Sequence, residues 1–198
     1  MTNRDWRKKL SSSLSEHLNQ EDVSHILEGS AELDEMDEKE QARCVEQIME
    51  RLDKKIPDES TKLNIMTACA CTCYNEYIDI FKEDYKLNRD IDKLLELMHG
   101  TVFMVKPKRI DNIILVTKAP HSPGEHAQAK TEKEKRYHFC HCKYARAAEN
   151  SISLTYCYCG AGWCRKIWET VLDKPVKIEI TKSVLQGDEV CQFAVFLE

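Results

Sequence analysis

The sequence predicts an α+β protein: a helical N-terminal half packed on a C-terminal antiparallel sheet, with one helix inserted between strands. Up to residue 99 apolar residues recur every three or four positions, which is the helical period. After Gly100 the chain changes to short apolar and β-branched runs separated by turn residues. Because helices followed by strands are typical of α+β proteins, we expect a helical region over 1–99. A sheet-plus-helix region, rich in Cys and His and able to bind a ligand or metal, is expected over 100–198.

The helical half divides into five predicted helices. Asn19 is the expected N-cap of the second helix, Gly29 its stop, and Pro57 follows the end of the third. A single long helix is predicted over 59–84, and Asn88 is expected to cap the last one before Gly100. The apolar stripes of the first, third and long helices are Trp6, Leu10, Leu14 and Leu18; Val45, Ile48, Met49 and Leu52; and Leu63, Met66, Cys69, Cys73, Tyr77, Ile80 and Phe81.

The second half is predicted to contain five strands and one helix. Strands over 101–105 and 110–117 form a hairpin around Lys-Pro-Lys-Arg, and the polar segment 119–135 is expected to be a mobile loop. Alternation over 136–142 predicts a third strand. A helix begins at Gly160–Gly162 and stops before Pro175, and strands over 176–184 and 190–197 pair through Gln-Gly-Asp-Glu.

Composition and charge restrict the functional classes. The chain has 198 residues, ten cysteines and a net charge of −5, and it shows no basic stripe that would indicate a nucleic-acid partner. Membrane insertion is not expected, because no apolar run approaches the roughly 18 residues needed for a span. The N-terminus lacks the pattern of a secretory signal, so we expect a cytoplasmic protein with reduced cysteines.

Four cysteines form the predicted site. In the segment YHFCHC, a strand would direct His138, Cys140 and Cys142 to one face. Cys157 and Cys159 follow just before the predicted helix, so the two pairs are expected to meet. Four thiolates from Cys140, Cys142, Cys157 and Cys159 could hold tetrahedral zinc.

Two alternatives to a metal site remain open. Cys159 precedes a helix N-terminus, whose positive field favours a thiolate nucleophile, and His138 or His141 could act as its base. The third possibility is a structural protein with reduced core cysteines, since buried thiols are common. Packing is the better explanation of Cys44, and also of Cys69 and Cys73, which lie four residues apart.

The C-terminal segment resembles two known groups. QGDEVCQFAVFL, with Gly187, Asp188, Cys191 and Phe193, is similar to the ending of the L-2-amino-thiazoline-4-carboxylic acid hydrolase family and of the vinyl-reductase-type small-molecule-binding domain. The preceding GAGWCRKIWETVLDKPVKIEI has a similar order of elements. The resemblance implies an enclosed small-molecule ligand, with Asp188 and Cys191 as motif positions.

The predicted function is therefore an intracellular small-molecule-binding protein with a Cys/His site that binds a metal such as zinc. The runner-up is a hydrolase of a small amide- or thiazoline-like substrate. It would use Cys159, His138 and Asp188, with a thiolate or a metal-bound water as nucleophile.

Overall fold

A computed structural model of the chain describes residues 6–70, 75–99, 101–149 and 152–197, without the side chains of Asn75 and Lys106. In this part of the chain helices come first and an antiparallel sheet follows, so the predicted α+β class is confirmed. The helices of the first half are α1 (Trp6–Ser15), α2 (Gln20–Ile26), α3 (Glu38–Lys55), α4 (Glu59–Ala68), α5 (Asn75–Asn88) and α6 (Ile91–His99). The second half contains β1 (Met104–Ile110), β2 (Ile113–Lys118), α7 (Pro123–Gln128), α8 (Glu132–Phe139), α9 (Lys143–Ala147), a 3-10 helix (Leu154–Cys157), α10 (Tyr158–Leu172), β3 (Lys177–Lys182) and β4 (Gln192–Phe196).

Side-chain caps start several of the early helices. The side chain of Asn19 accepts a hydrogen bond from the Asp22 amide and caps α2, as predicted. Asp37 caps α3 in a reciprocal arrangement with Glu40. Asp58 caps α4 by accepting from the amide of Thr61. The starts of α2, α3 and α4 are therefore determined by capping residues that lie next to each helix in the sequence.

The predicted long helix over 59–84 is wrong, because α4 and α5 are separate helices. The last turn of α4 tightens at Cys69, whose amide bonds to the carbonyl of Met66 three residues earlier. The predicted packing of Cys69 in the core agrees with its full burial. Cys71 and Cys73 lie outside the described residues. The cap of α6 is Asp90 rather than Asn88, since the Asp90 carboxylate accepts from the amides of Asp92 and Lys93.

The four strands form one antiparallel sheet in the order β1-β2-β4-β3. Both predicted hairpins are therefore confirmed as strand pairs, although the first lies further along the chain than expected. Pro107 is inside β1, beside a bulge, and not in the turn. A proline is tolerated there because β1 is an edge strand and the bulge releases it from the hydrogen-bond ladder. The turn falls at Asp111, which has a left-handed φ of 52°.

The segment between β2 and α10 is helical, which corrects two predictions. The expected loop over 119–135 contains α7 and the start of α8, and the expected strand over 136–142 is mostly the rest of α8. Thr131 and Glu134 form a capping box that starts α8, and Pro123 stands at the first position of α7. The alternation after Arg136 favours a strand, but these residues continue a helix whose charged first turn begins at Glu132.

Helix α10 joins the sheet to the helical half. Phe193 of β4 lies against Gly160 on one side of the helix. On another side, a Cβ built on Gly162 would come within 2.6 Å of the Cα of Thr67 in α4. A glycine is required at this position because the backbones of α4 and α10 approach too closely for any side chain.

Two apolar clusters make up the core, and each contains residues from before and after residue 100. The first surrounds Trp6 in α1 and includes Tyr144 and Tyr156, while the second lies between the sheet, α5, α6 and α10. The boundary predicted at residue 100 stays a prediction. Among the described residues, no helix combines the length and apolar character needed to cross a membrane. A cytoplasmic location also stays a prediction.

Candidate functional site

Four thiols gather where the end of α8, the 3-10 helix and the start of β4 meet. We call Cys140, Cys142, Cys157 and Cys191 the thiol cluster. Cys140 follows the last residue of α8, Cys142 caps α9, Cys157 ends the 3-10 helix, and Cys191 directly precedes β4. All four lie at the ends of elements, so three separate segments of the chain contribute to one neighbourhood.

The hydroxyl of Ser183 lies between two of these sulfurs. Its oxygen is 3.3 Å from Sγ of Cys157, and Ser183 also lowers the pKa of the Cys191 thiol, which burial raises. Ser183 itself is buried, and the carboxylate of Asp188 accepts a hydrogen bond from its amide at 2.8 Å. Asp188 therefore holds the segment that carries Ser183 against the cluster.

Burial governs the protonation of the cluster. Loss of water raises the pKa of Cys140, and the nearby thiols of Cys191, Cys157 and Cys142 raise it further because their thiolates would repel one another. Burial raises the pKa of Cys157 from 9.0 to about 12, although this residue caps α10 and feels the positive end of its dipole. Burial also raises the pKa of Cys191. The thiols of Cys140, Cys157 and Cys191 therefore remain protonated at neutral pH.

Lys118, the last residue of β2, supplies a positive charge beside the cluster. Its amide donates to the carbonyl of Cys191 at 3.0 Å, and its Nζ lies 5.2 Å from the centre of the Trp163 ring. The Lys118 ammonium partly offsets the rise in the pKa of Cys140, Cys157 and Cys191. Sequence reasoning missed Lys118 because a lysine at the end of a strand carries no distinguishing pattern.

Cys159, predicted to belong to this site, is directed elsewhere. Its thiol donates to the carbonyl of Cys69 at 3.3 Å, on the side of α10 that packs on α4. His138, predicted to act as its base, lies near the end of α8 with its ring 5.2 Å from that of Tyr137. No described contact joins His138 to Cys159. The catalytic roles of Cys159, His138 and Asp188 stay predictions.

His141 lies between two members of the thiol cluster in sequence but faces another group. Its Nε2 donates to the carbonyl of Ala119 at 2.8 Å, and its ring stacks on His121 at 5.6 Å. Burial, together with the Lys118 charge, lowers the pKa of His141 from 6.5 to about 4. His141 is therefore a neutral imidazole that fastens the chain after β2 to the end of α8.

Within the described residues, no group of three or more His, Cys, Asp or Glu side chains is arranged so that it could hold a metal ion. A groove of about 370 Å³ lies elsewhere, between α6 and β1, and none of the predicted site residues lines it. A metal at the thiol cluster would therefore require the sulfurs to turn toward one another.

The fold and the site together define the chain as an α+β protein with a partly buried thiol cluster at the junction of helices and sheet. The chain belongs to the family of unknown function DUF6144, whose model matches residues 1–198. No curated protein and no solved structure matches it.

The family match shows that the resemblance to the thiazoline hydrolase family and the vinyl-reductase-type domain is wrong. The shared residues have a local explanation. Gly187 takes a left-handed φ of 93° that closes the turn, and Asp188 caps the same turn through the Ser183 amide. Because Gly-Asp suits any tight turn of this kind, the shared motif does not indicate a common family.

Proposed function

We propose that this protein binds a thiophilic metal ion, zinc in the first instance, through Cys140, Cys142, Cys157 and Cys191. The observation that supports this most directly is the Ser183 hydroxyl, which lies 3.3 Å from Sγ of Cys157. The thiols of Cys191, Cys157 and Cys142 all raise the pKa of Cys140, which supports a common neighbourhood for the four. Cys191 takes the place that sequence spacing assigned to Cys159.

The electrostatics of the cluster favour a bound cation. Without one, the thiolates of Cys140 and Cys157 are opposed by burial and by the neighbouring cysteines, so these thiols hold their protons. A divalent ion compensates both costs, and its binding releases those protons. Four thiolates around Zn²⁺ carry a net charge of −2, which the ammonium of Lys118 partly neutralises.

Closure of the site requires only local movement. Cys140 and Cys142 are two residues apart in an extended connection between α8 and α9, and Cys191 lies in the segment before β4. The backbones of these cysteines are hydrogen-bonded to α8, α9 and Lys118, so the proposal needs rotation of the side chains. Metal binding is then coupled to an inward turn of the thiols, because no described group of side chains is already arranged to hold an ion.

Neither of the other predicted functions gains support from a particular observation. The described groove lies away from the thiol cluster, and the predicted nucleophile Cys159 is hydrogen-bonded to the backbone of α4's last turn. Small-molecule binding, hydrolysis and a structural role for reduced core cysteines stay predictions.

The test compares two neighbouring cysteines in reduced, metal-free protein titrated with Zn²⁺ against a chromophoric chelator. We expect one ion per chain in the wild type. Cys157→Ser and Cys191→Ser should weaken binding by more than about 100-fold, beyond the loss typical of outer-shell residues. Cys159→Ser and the distant Cys44→Ser, both of which leave the cluster whole, should bind as the wild type does.

Two results would contradict the proposal. One is a wild-type protein that takes up no ion against the chelator. The other is the reverse ranking, in which Cys159→Ser abolishes binding and Cys191→Ser retains it, which would restore the ligand set predicted from spacing. Circular dichroism of each variant shows that the comparison is made between folded proteins.

A further inference from the structure

The four-stranded sheet has one face in the core and one face outside it. Residues that stand opposite each other in an antiparallel sheet share a face, and the face alternates along each strand. Ile114 and Val195 stand opposite each other and belong to the core cluster that contains α10. Phe193, on the same side, lies against Gly160 of that helix. We call the opposite side the outer face, and its apolar residues are Ile110, Ile113, Leu115, Ala194 and Phe196.

The apolar residues of the outer face lie outside both core clusters of the described residues. Ile110 is 56% exposed, and three more side chains are half-buried: Ile113, Leu115 and Phe196. When one face of an antiparallel sheet is packed on the core, the other face is normally polar. An apolar patch that continues over three neighbouring strands instead indicates a surface that binds another macromolecule.

Two opposite charges stand at the two edges of the outer face. One row of the register runs from Lys108 in β1 through Leu115 and Ala194 to Glu179 in β3, so it crosses all four strands. Both Lys108 and Glu179 are exposed. A two-fold axis parallel to the strands would place β1 of one copy over β3 of another, so that each Lys108 faces a Glu179. The outer face is therefore complementary to itself in charge, with apolar residues between the charges.

Lys177 stands beside Glu179 at the β3 edge of this face. Its ammonium pairs with Glu179 at 2.7 Å and lies 4.8 Å from the centre of the Phe196 ring. The same two-fold axis would place Lys177 over Ile110 of the second copy, where its aliphatic stem covers apolar surface while the charge stays at the rim. Because a carboxylate has two oxygens, Glu179 can accept from Lys177 and from Lys108 of the second copy at once.

We propose that the outer face is the contact surface of a homodimer, in which two sheets pack face to face with their strands nearly aligned. A polar row borders the patch, because Gln192 donates to Oγ1 of Thr117 at 2.9 Å and accepts from the Thr181 hydroxyl at 3.1 Å. Four strands are only about 14 Å across. The contact is therefore smaller than the about 800 Å² per partner of a standard interface, and the dimer should dissociate on dilution. This inference does not depend on the proposed metal site.

The experiment is sedimentation velocity of reduced, metal-free protein from about 1 μM to about 500 μM, a range suited to a weak interface. The reductant prevents disulfide-linked dimers. The wild type should change from monomer to dimer over this range. Ile110→Glu should raise the dissociation constant at least about 10-fold, because it buries a charge in apolar surface. The control is Leu87→Glu, at an 82% exposed position of α5, which packs on the core side of the sheet, and it should dimerise as the wild type does.

Charge reversal tests how the two copies are oriented. Lys108→Glu and Glu179→Lys should each weaken the dimer about 10-fold, because like charges would then face each other. The double variant Lys108→Glu/Glu179→Lys should restore the affinity to within about 3-fold of the wild type, since opposite charges face each other again. Circular dichroism shows that each variant is folded.

Three results would overturn the inference. The first is a wild type that stays monomeric at every concentration, which would indicate a different protein as the occupant of the outer face. The second is a dimer that Ile110→Glu leaves intact. The third is a double variant that dimerises no better than either single charge reversal.

Discussion

Two pairs of cysteines have the same spacing, with one residue between them, and they are arranged differently. Cys140 and Cys142 both belong to the thiol cluster, whereas Cys157 joins it and Cys159 does not. The first pair lies in an extended connection, where alternate residues share a side. The second pair spans the start of α10, where two residues rotate by about 200° around the helix axis.

The start of α10 consequently has two unlike sides. On the side of the thiol cluster, Cys157 meets Ser183, and hydroxyl groups and a lysine charge surround the sulfurs. On the side of α4, Cys159 meets a backbone carbonyl, and Gly162 lets two helices approach closely. The first side therefore carries polar and charged groups near the sulfurs, and the second side packs against α4. The comparison shows that ligand spacing has meaning only together with the local backbone conformation.

The largest expected effect is on the alkylation rate of Cys157, the thiol on the cluster side of α10. In folded, metal-free protein, the pKa of Cys157 is raised from 9.0 to about 12, so little thiolate exists at pH 8. Because only the thiolate is alkylated, Cys157 should react at least about 100-fold more slowly than in urea-unfolded protein at this pH. The folded rate should keep rising as pH passes 9. Peptide mapping after iodoacetamide treatment between pH 7 and 10 measures it, and a plateau near pH 9 would contradict the burial argument.

The second-largest expected effect is a loss of stability when the side of α10 that packs on α4 is changed. Gly162→Ala places a Cβ 2.6 Å from the Cα of Thr67, so α10 and α4 must separate. We expect a loss of about 2–3 kcal/mol in the free energy of unfolding, in the range of overpacked cores. The control is Gly124→Ala in α7, where nothing lies within 4 Å of the new methyl group, and the stability should change little. Urea denaturation measures both variants, and equal midpoints would show that the helices are less tightly apposed.

The smallest effect concerns the network that holds the 3-10 helix before Cys157. The Asp53 carboxylate accepts hydrogen bonds from the hydroxyls of Ser153 and Thr155 and pairs with the buried Lys62 at 3.2 Å. Asp53→Asn keeps the shape but loses the charge and one acceptor, which should cost about 1–2 kcal/mol.

Glu149→Gln is the control for this change, because its ion pair with Lys39 is exposed and should contribute little to the free energy of unfolding. Thermal denaturation at neutral pH compares the two variants. A Glu149→Gln variant that is as destabilised as Asp53→Asn would mean that the position of the 3-10 helix does not depend on the buried pair.

Much of the fold could be predicted from patterns that act locally. The cap at Asn19, the stripe from Trp6 to Leu14, and the pairing of the last two strands all follow from neighbouring residues. The segment over 119–142 could not, because a polar, proline-bearing stretch suits both a loop and a capped helix. The capping box of Thr131 and Glu134 was the available signal.

The candidate site likewise has features that the sequence predicts and features that depend on the tertiary structure. The sequence by itself determined that thiols concentrate after residue 139; the strand from which it predicted that Cys140 and Cys142 share a face is mostly α8, although both cysteines are extended in the connection that follows. Only the tertiary structure decided that Cys191 joins them while Cys159 turns to α4, and that Ser183, Lys118 and Tyr156 lie near the sulfurs. The reason is physical: a side chain's direction follows from backbone conformation, whereas contacts between separate segments of the chain follow from packing that no local pattern records.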